Sequence, residues 1–145
     1  MSRKDQFHEA VKHALEKEGW LITHDPFTIQ ITETIRLKID LGAETTIAAQ
    51  RNQEKIVVEV KSFITDSEIS EFHTALGQYL NYAQALEEEA VSRTLHLAIP
   101  IETYDDFFQT PFVQTTLKRY AINILVYDPI KEEIKQWKSY KNIDR

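Results

Sequence analysis

Apolar residues recur at the 3.6-residue period near the start of the chain, where Phe7, Ala10, Val11, Ala14 and Leu15 form one stripe. This predicts a helix over residues 4–18, with Gly19 as its stop. Trp20-Leu21-Ile22-Thr23 is rich in β-formers, Asp25-Pro26 interrupts it, and Phe27 to Ile31 resumes with period-2 alternation. From Thr34 to Leu41 the alternation is complete: Ile35, Leu37, Ile39 and Leu41 take one face and Arg36, Lys38 and Asp40 the other. Gln50 to Lys55 is polar and reads as a turn into a strand from Ile56 to Phe63. The connection is too short for a crossover helix, so the 34–41 and 56–63 strands are expected to form an antiparallel hairpin.

A long helix follows, capped by Asp66 or Ser67 and ending near Ala90, with Ile69, Phe72, Leu76, Tyr79, Leu80, Ala83 and Leu86 as its inner stripe. Thr94 to Ile101 reads as a strand, Asp105 to Tyr120 as a helix, Ile122 to Asp128 as a strand stopped by Pro129, and Glu133 to Lys138 as an edge strand. The order α-β-β-β-α-β-α-β-β predicts a mixed β-sheet with flanking helices, α/β in the broad (α+β) sense.

At 145 residues the chain has the length of one domain, residues 1–145. With no cysteine there is no disulfide framework, thiol catalysis or cysteine-based zinc site. The N-terminus leads into charged residues, and no apolar run approaches the ~18 residues of a membrane span. A soluble, cytoplasmic protein with no membrane partner is expected. The net charge of −6 argues against a broadly basic nucleic-acid binder. Ser62 to Leu117 carries nine acidic residues against Arg93 alone, whereas Lys118 to Arg145 carries seven basic residues against four acidic ones. DNA affinity of the chain alone is therefore expected to be weak, resting on Arg36, Lys38, Lys55 and the C-terminal segment.

The candidate chemistry lies in the strand around Val58. Glu59 and Lys61 point to one face while Ile56, Val58 and Val60 point to the other. A charged pair in an apolar strand is costly if buried without partners, which directs attention to Asp40 on the preceding strand. Two carboxylates, Asp40 and Glu59, with the backbone carbonyl of Val60, supply the hard oxygen ligands suited to one Mg²⁺ or Mn²⁺. Lys61 would then orient or activate a water attacking a phosphodiester. Glu44 is a solvated carboxylate, a second-shell group or an alternative ligand if the strand continues past Gly42.

Asp40…Glu59-Val60-Lys61, in its α-β-β-β-α-β setting, resembles the PD-(D/E)XK nuclease superfamily with its restriction-endonuclease-like fold, although Ile39 stands where that name places proline. Gln78-Tyr79-Leu80-Asn81-Tyr82 is similar to the Q-x-x-x-Y signature of its RecB-like branch, which implies site roles for Gln78 and Tyr82. Phe7, twelve residues before Gly19-Trp20, resembles the F-E…G-Y spacing of related nucleases, with His8 at the helical carboxylate position and Glu9 beside it. A closer resemblance spans nearly the whole chain. Lys4 to Lys12, Gly19 to Pro26, Ile39 to Glu44, Val58 to Phe63 and Ala75 to Tyr79 are similar to XisH proteins. That resemblance implies an endonuclease-like domain and a controlling factor for excision of the fdxN element, a cyanobacterial DNA rearrangement. It also implies DNA, an XisI-type protein and a site-specific recombinase as partners, and is compatible with a homodimer.

Each feature also has a plainer reading. Asp40, Glu59 and Lys61 could be an ion-pair cluster on an exposed sheet face, and Gln78 and Tyr82 a polar helix flank. His13, His24, His73 and His96 show no metal-ligand spacing. Glu87-Glu88-Glu89 is a solvated helix end or a contact for a basic partner. Two function classes therefore compete: a Mg²⁺-dependent DNA endonuclease (a hydrolase) controlling excision, and a non-catalytic regulatory subunit acting through protein contacts. A small-molecule hydrolase is disfavoured, since neither a nucleophile elbow nor a Gly-rich phosphate loop is present.

Overall fold

The first helix begins with a reciprocal cap. The Ser2 hydroxyl accepts the Asp5 N–H at 3.1 Å and the Asp5 carboxylate accepts the Ser2 N–H at 3.2 Å, satisfying two N-terminal donors of α1 (Arg3–Lys17). Gly19 follows at φ +86°, a left-handed conformation that a side chain would strain. The structure, a computed structural model, describes residues 2–30, 36–37, 46–88 and 91–140, with only the backbone of residues 30, 36 and 37.

A six-stranded mixed sheet forms the centre, built from β1 (Leu21–His24), β4 (Thr46–Arg51), β5 (Glu54–Val60), β6 (Thr94–Pro100), β7 (Ile124–Asp128) and β8 (Glu133–Lys138), in the order β1-β4-β5-β6-β7-β8. β5, β6 and β7 run parallel, and the other neighbours pair antiparallel. Two short strands, β2 (Ile29–Gln30) and β3 (Arg36–Leu37), pair separately. Within the main sheet the leading order is still α-β-β-β-α-β, but its second strand is not the expected one. β4 pairs with β5 from Thr46↔Glu59 to Arg51↔Glu54 around a tight turn with Asn52 at φ 55°. β6 takes the other edge of β5 from Ile56 to Val60. With both edges occupied, a hairpin between residues 34–41 and β5 is excluded, and the turn is residues 52–53 rather than 50–55.

The helices cover both faces. α1 lies on one, where Val11 and Leu15 meet Trp20, Ile47, Ile56, Val58, Val60 and Tyr127. On the other lie α2 (Glu68–Glu88), α3 (Ile101–Asp105) and α4 (Pro111–Arg119), against Val57, Leu97, Ile99 and Val126. The helix expected over 105–120 is broken. Pro111 lacks an N–H and opens a new helix as its first residue, and Thr110 before it is extended at φ −65°, ψ 144°. The inner stripe of α2 is also rotated from expectation. Phe72, Ala75, Tyr79, Tyr82, Ala85 and Leu86 are buried, while Ile69 and Leu80 are 42% and 37% exposed. Alanines 75 and 85 let the helix backbone approach the sheet, and the two tyrosine rings fill the space beside them. Among the described residues no helix is long and apolar enough to cross a membrane.

Candidate active site

Strand alternation sends Val57, Glu59 and Lys61 to the α2 face and Ile56, Val58 and Val60 to the α1 face. Glu59 is 3% exposed and Lys61 4%, so the plainer reading as a solvated ion-pair cluster on an exposed face does not hold. Lys61 Nζ donates to Gln78 Oε1 at 2.5 Å, bringing the end of β5 and the middle of α2 together. One turn of helix carries both Gln78 and its neighbour Tyr79. The Tyr79 hydroxyl donates to the Leu95 carbonyl at 3.2 Å and accepts the Asn123 N–H at 3.0 Å. Its pKa is pushed up to about 12, by burial foremost; the Asn123 bond opposes the shift and the negative charge of Glu59 adds to it. Tyr79 was expected only as packing, yet it feels the charge of Glu59.

The cross-strand partner of Glu59 is Thr46, fully buried, whose hydroxyl donates to the Phe27 carbonyl at 3.4 Å. Successive backbone groups of a strand alternate between its two edges. Lys61 donates its N–H to the Ala98 carbonyl of β6 at 3.1 Å, so the carbonyl of Val60 faces the β4 edge, one pair beyond Thr46↔Glu59. The Lys61 carbonyl accepts the Tyr127 hydroxyl at 2.9 Å. Sequence reasoning missed this tyrosine; the available signal was Pro100, a residue unable to donate, at the end of the neighbouring strand.

The other expected site residues divide. Asp40 and Glu44 lie outside the described residues. The Tyr82 side chain is buried in the α2 core rather than on a polar flank. His8 and Glu9 belong to α1, which packs on the opposite face of the sheet. His8 Nε2 meets Asp25 Oδ1 at 2.8 Å, and Lys12 Nζ donates to Asp25 Oδ2 at 2.9 Å. Glu9 lies 3.7 Å from Lys12 and 3.9 Å from His13. Asp25, which with Pro26 interrupts the first strand, is thus an ion-pair hub. Among the described residues no cluster of three or more His, Asp or Glu side chains could hold a metal.

At the carboxyl ends of β5, β6 and β7 the sheet opens into a cleft of about 1060 Å³ bordered by Ser62, Phe63, Pro100, Ile101, Asp128 and Pro129. Crevices at this end of parallel strands commonly hold ligands. Among the described residues, five carboxylates line it, from Asp66, Glu68, Glu102, Asp106 and Asp128, against one cation, Arg3.

Fold and site together define a mixed α/β protein with an acid and a base buried side by side at the end of a central strand. The XisH protein family matches residues 1–135, and the chain belongs to that family. Two solved structures are similar, each with 48% sequence identity and a TM-score of 0.83, covering 92% of this chain and 98% of the other. One is an XisH family protein from Nostoc punctiforme PCC 73102, the other an fdxN element excision controlling factor protein from Anabaena variabilis. No curated protein matches the chain.

Proposed function

We propose that this XisH protein acts in the control of DNA excision through a PD-(D/E)XK-type site that hydrolyses phosphodiesters, on a restriction-endonuclease-like fold. The observation that carries the proposal is the burial of Glu59 and Lys61 on one face of β5, with Lys61 hydrogen-bonded to Gln78 at 2.5 Å. Burying two charged groups is expensive, and a stable core would be built more cheaply from apolar residues. Their burial at the end of a central strand, despite that cost, supports a functional site.

The donor set suits a hard cation. Glu59 offers carboxylate oxygens and Val60 a carbonyl at the β4 edge; the second carboxylate comes from Asp40, with Glu44 as the alternative. Asp40 is six residues before Thr46, the partner of Glu59, a chain length of at most about 20 Å that permits the two carboxylates to meet. Mg²⁺ or Mn²⁺, when bound there, supplies a Lewis acid for the phosphate and lowers the pKa of a coordinated water. Lys61 orients that water and stabilises charge developing on the phosphate, and Gln78 holds the ammonium in place. Tyr82 supports the helix that presents Gln78.

The acidic cleft favours a division of labour. A DNA backbone entering it would meet five carboxylates, so a partner supplies the cationic contacts, an XisI-type protein or a recombinase. A non-catalytic regulatory subunit with the same fold is the second reading, supported by the same acidity.

The test is cleavage of varied DNA substrates with Mg²⁺ or Mn²⁺, with and without an XisI-type partner. Wild-type protein should nick or cut, more so with the partner, and Lys61→Ala should remove most of the activity while its circular dichroism stays native. No cleavage under any of these conditions, or a rate unchanged by Lys61→Ala, would transfer the proposal to the regulatory subunit.

A further inference from the structure

The ladder between β5 and β6 ends at a residue that cannot donate. Lys61 gives its N–H to the carbonyl of Ala98. In a parallel ladder the carbonyl of the same residue accepts from the N–H two positions further along the neighbouring strand, which here is Pro100. Proline has no N–H. Tyr127 stands opposite Pro100 on β7, and its hydroxyl reaches past that proline to donate to the Lys61 carbonyl at 2.9 Å. The tyrosine is fully buried, and Phe7 of α1 meets its ring edge-on at 6.3 Å, so the hydroxyl is fixed from the α1 side of the sheet. Two residues past Lys61 the backbone turns sharply, with Phe63 at φ 55° in the left-handed region that disfavours side chains. Rings of Phe107 and Phe108 hold Phe63 there, at 6.3 and 5.4 Å.

The geometry points to Tyr127 as a positioning residue of this site: its hydroxyl replaces the amide that Pro100 lacks, and so holds the Lys61 backbone where the ammonium meets Gln78. Its consequence for activity rests on the catalytic role proposed for Lys61. The hydrogen-bond replacement itself does not.

The test is a double-mutant cycle on the full chain with Tyr127→Phe, Pro100→Ala and the two combined. Alanine at 100 restores an N–H aimed at the Lys61 carbonyl, so the pair should be strongly non-additive. Tyr127→Phe should move the carbonyl ¹³C resonance of Lys61 upfield, shift its side-chain ¹⁵N resonance and lower the thermal midpoint. Adding Pro100→Ala should reverse most of all three changes, whereas Pro100→Ala alone should change little. If Tyr127→Phe does not fold, folding of the double variant supports the proposal and failure of both overturns it. Strict additivity would also overturn it, as would a Lys61 side-chain resonance unmoved by Tyr127→Phe. In a cleavage assay Tyr127→Phe should lose about tenfold or more, recovered in the double variant. Wild-type protein that cleaves nothing refutes the nuclease reading, and the two resonances still decide the role of Tyr127.

Discussion

The two faces of β5 come from one strand and are built to different ends. Toward α1, Ile56, Val58 and Val60 pack on Val11, Leu15 and Trp20, an apolar layer with ion pairs such as His8–Asp25 and Lys12–Asp25 at its rim. Toward α2, Val57 is followed by Glu59 and Lys61, buried as thoroughly as the valines on the other side. Apolar burial stabilises in proportion to area, whereas buried charge must recover its lost hydration from specific partners. On β5 itself the α1 side therefore only stabilises, whereas the two charged positions on the α2 side forgo stability that apolar residues there would supply.

The largest effects should come from dismantling the charged face in two stages. Glu59→Leu alone removes one of the two charged groups buried on this face of β5, leaves Lys61 buried there, and should lose about 3–5 kcal/mol in urea unfolding. Combining it with Lys61→Met should exceed wild-type stability by about 1–4 kcal/mol while any cleavage is lost. A double variant less stable than Glu59→Leu would erase the contrast between the faces.

The α1 face has one titrating intruder. His96, opposite Val58 in the ladder and edge-on to Trp137 at 5.0 Å, is pushed down to about 4 by burial. The unfolded chain binds this proton near pH 6.5 and the native protein only near 4, so stability is full above pH 6.5 and falls as the pH drops between these values. The shift corresponds to a loss of about 3 kcal/mol by pH 4. His96→Gln should flatten this part of the stability profile; an unchanged slope would place the acid sensitivity elsewhere.

The smallest effect belongs to the rim. Burial pushes the pKa of Asp25 up, but the hydrogen bond from Lys12 and the nearby His8 outweigh it and hold the carboxyl below its ordinary range. Lys12 is raised, chiefly by its hydrogen bond to Asp25. The stabilisation from Asp25 is present above the usual carboxylate pKa and lost as pH falls through its lower native value. That from Lys12 is complete below its ordinary value and lost as pH rises through its higher native one. Lys12→Met should therefore cost about 0.2–1 kcal/mol near neutrality, with the deficit closing in acid and in strong base. A deficit as large as that of Glu59→Leu would show that the rim carries more of the fold than its exposure suggests.

The amino-acid sequence determined what depends on neighbours along the chain. The α1 stripe, the stop at Gly19, the extent of α2 and the alternation that puts Glu59 and Lys61 on one face all follow from local periodicity and backbone preference. The resemblance of Gln78 to Tyr82 to the Q-x-x-x-Y signature likewise pointed Gln78 toward β5, where it meets Lys61. Tertiary structure decided the rest. Thr46-Ile47-Ala48-Ala49 is buried on both faces, so it lacks the alternation that marks a half-buried strand, while the alternating stretch 34–41 looked the better partner for β5. Which stripe of α2 turns inward depended on how closely Ala75 and Ala85 let it approach the sheet. The bond from Tyr127 to Lys61 joins residues 66 positions apart, and a sheet register set by many pairings at once brings them together.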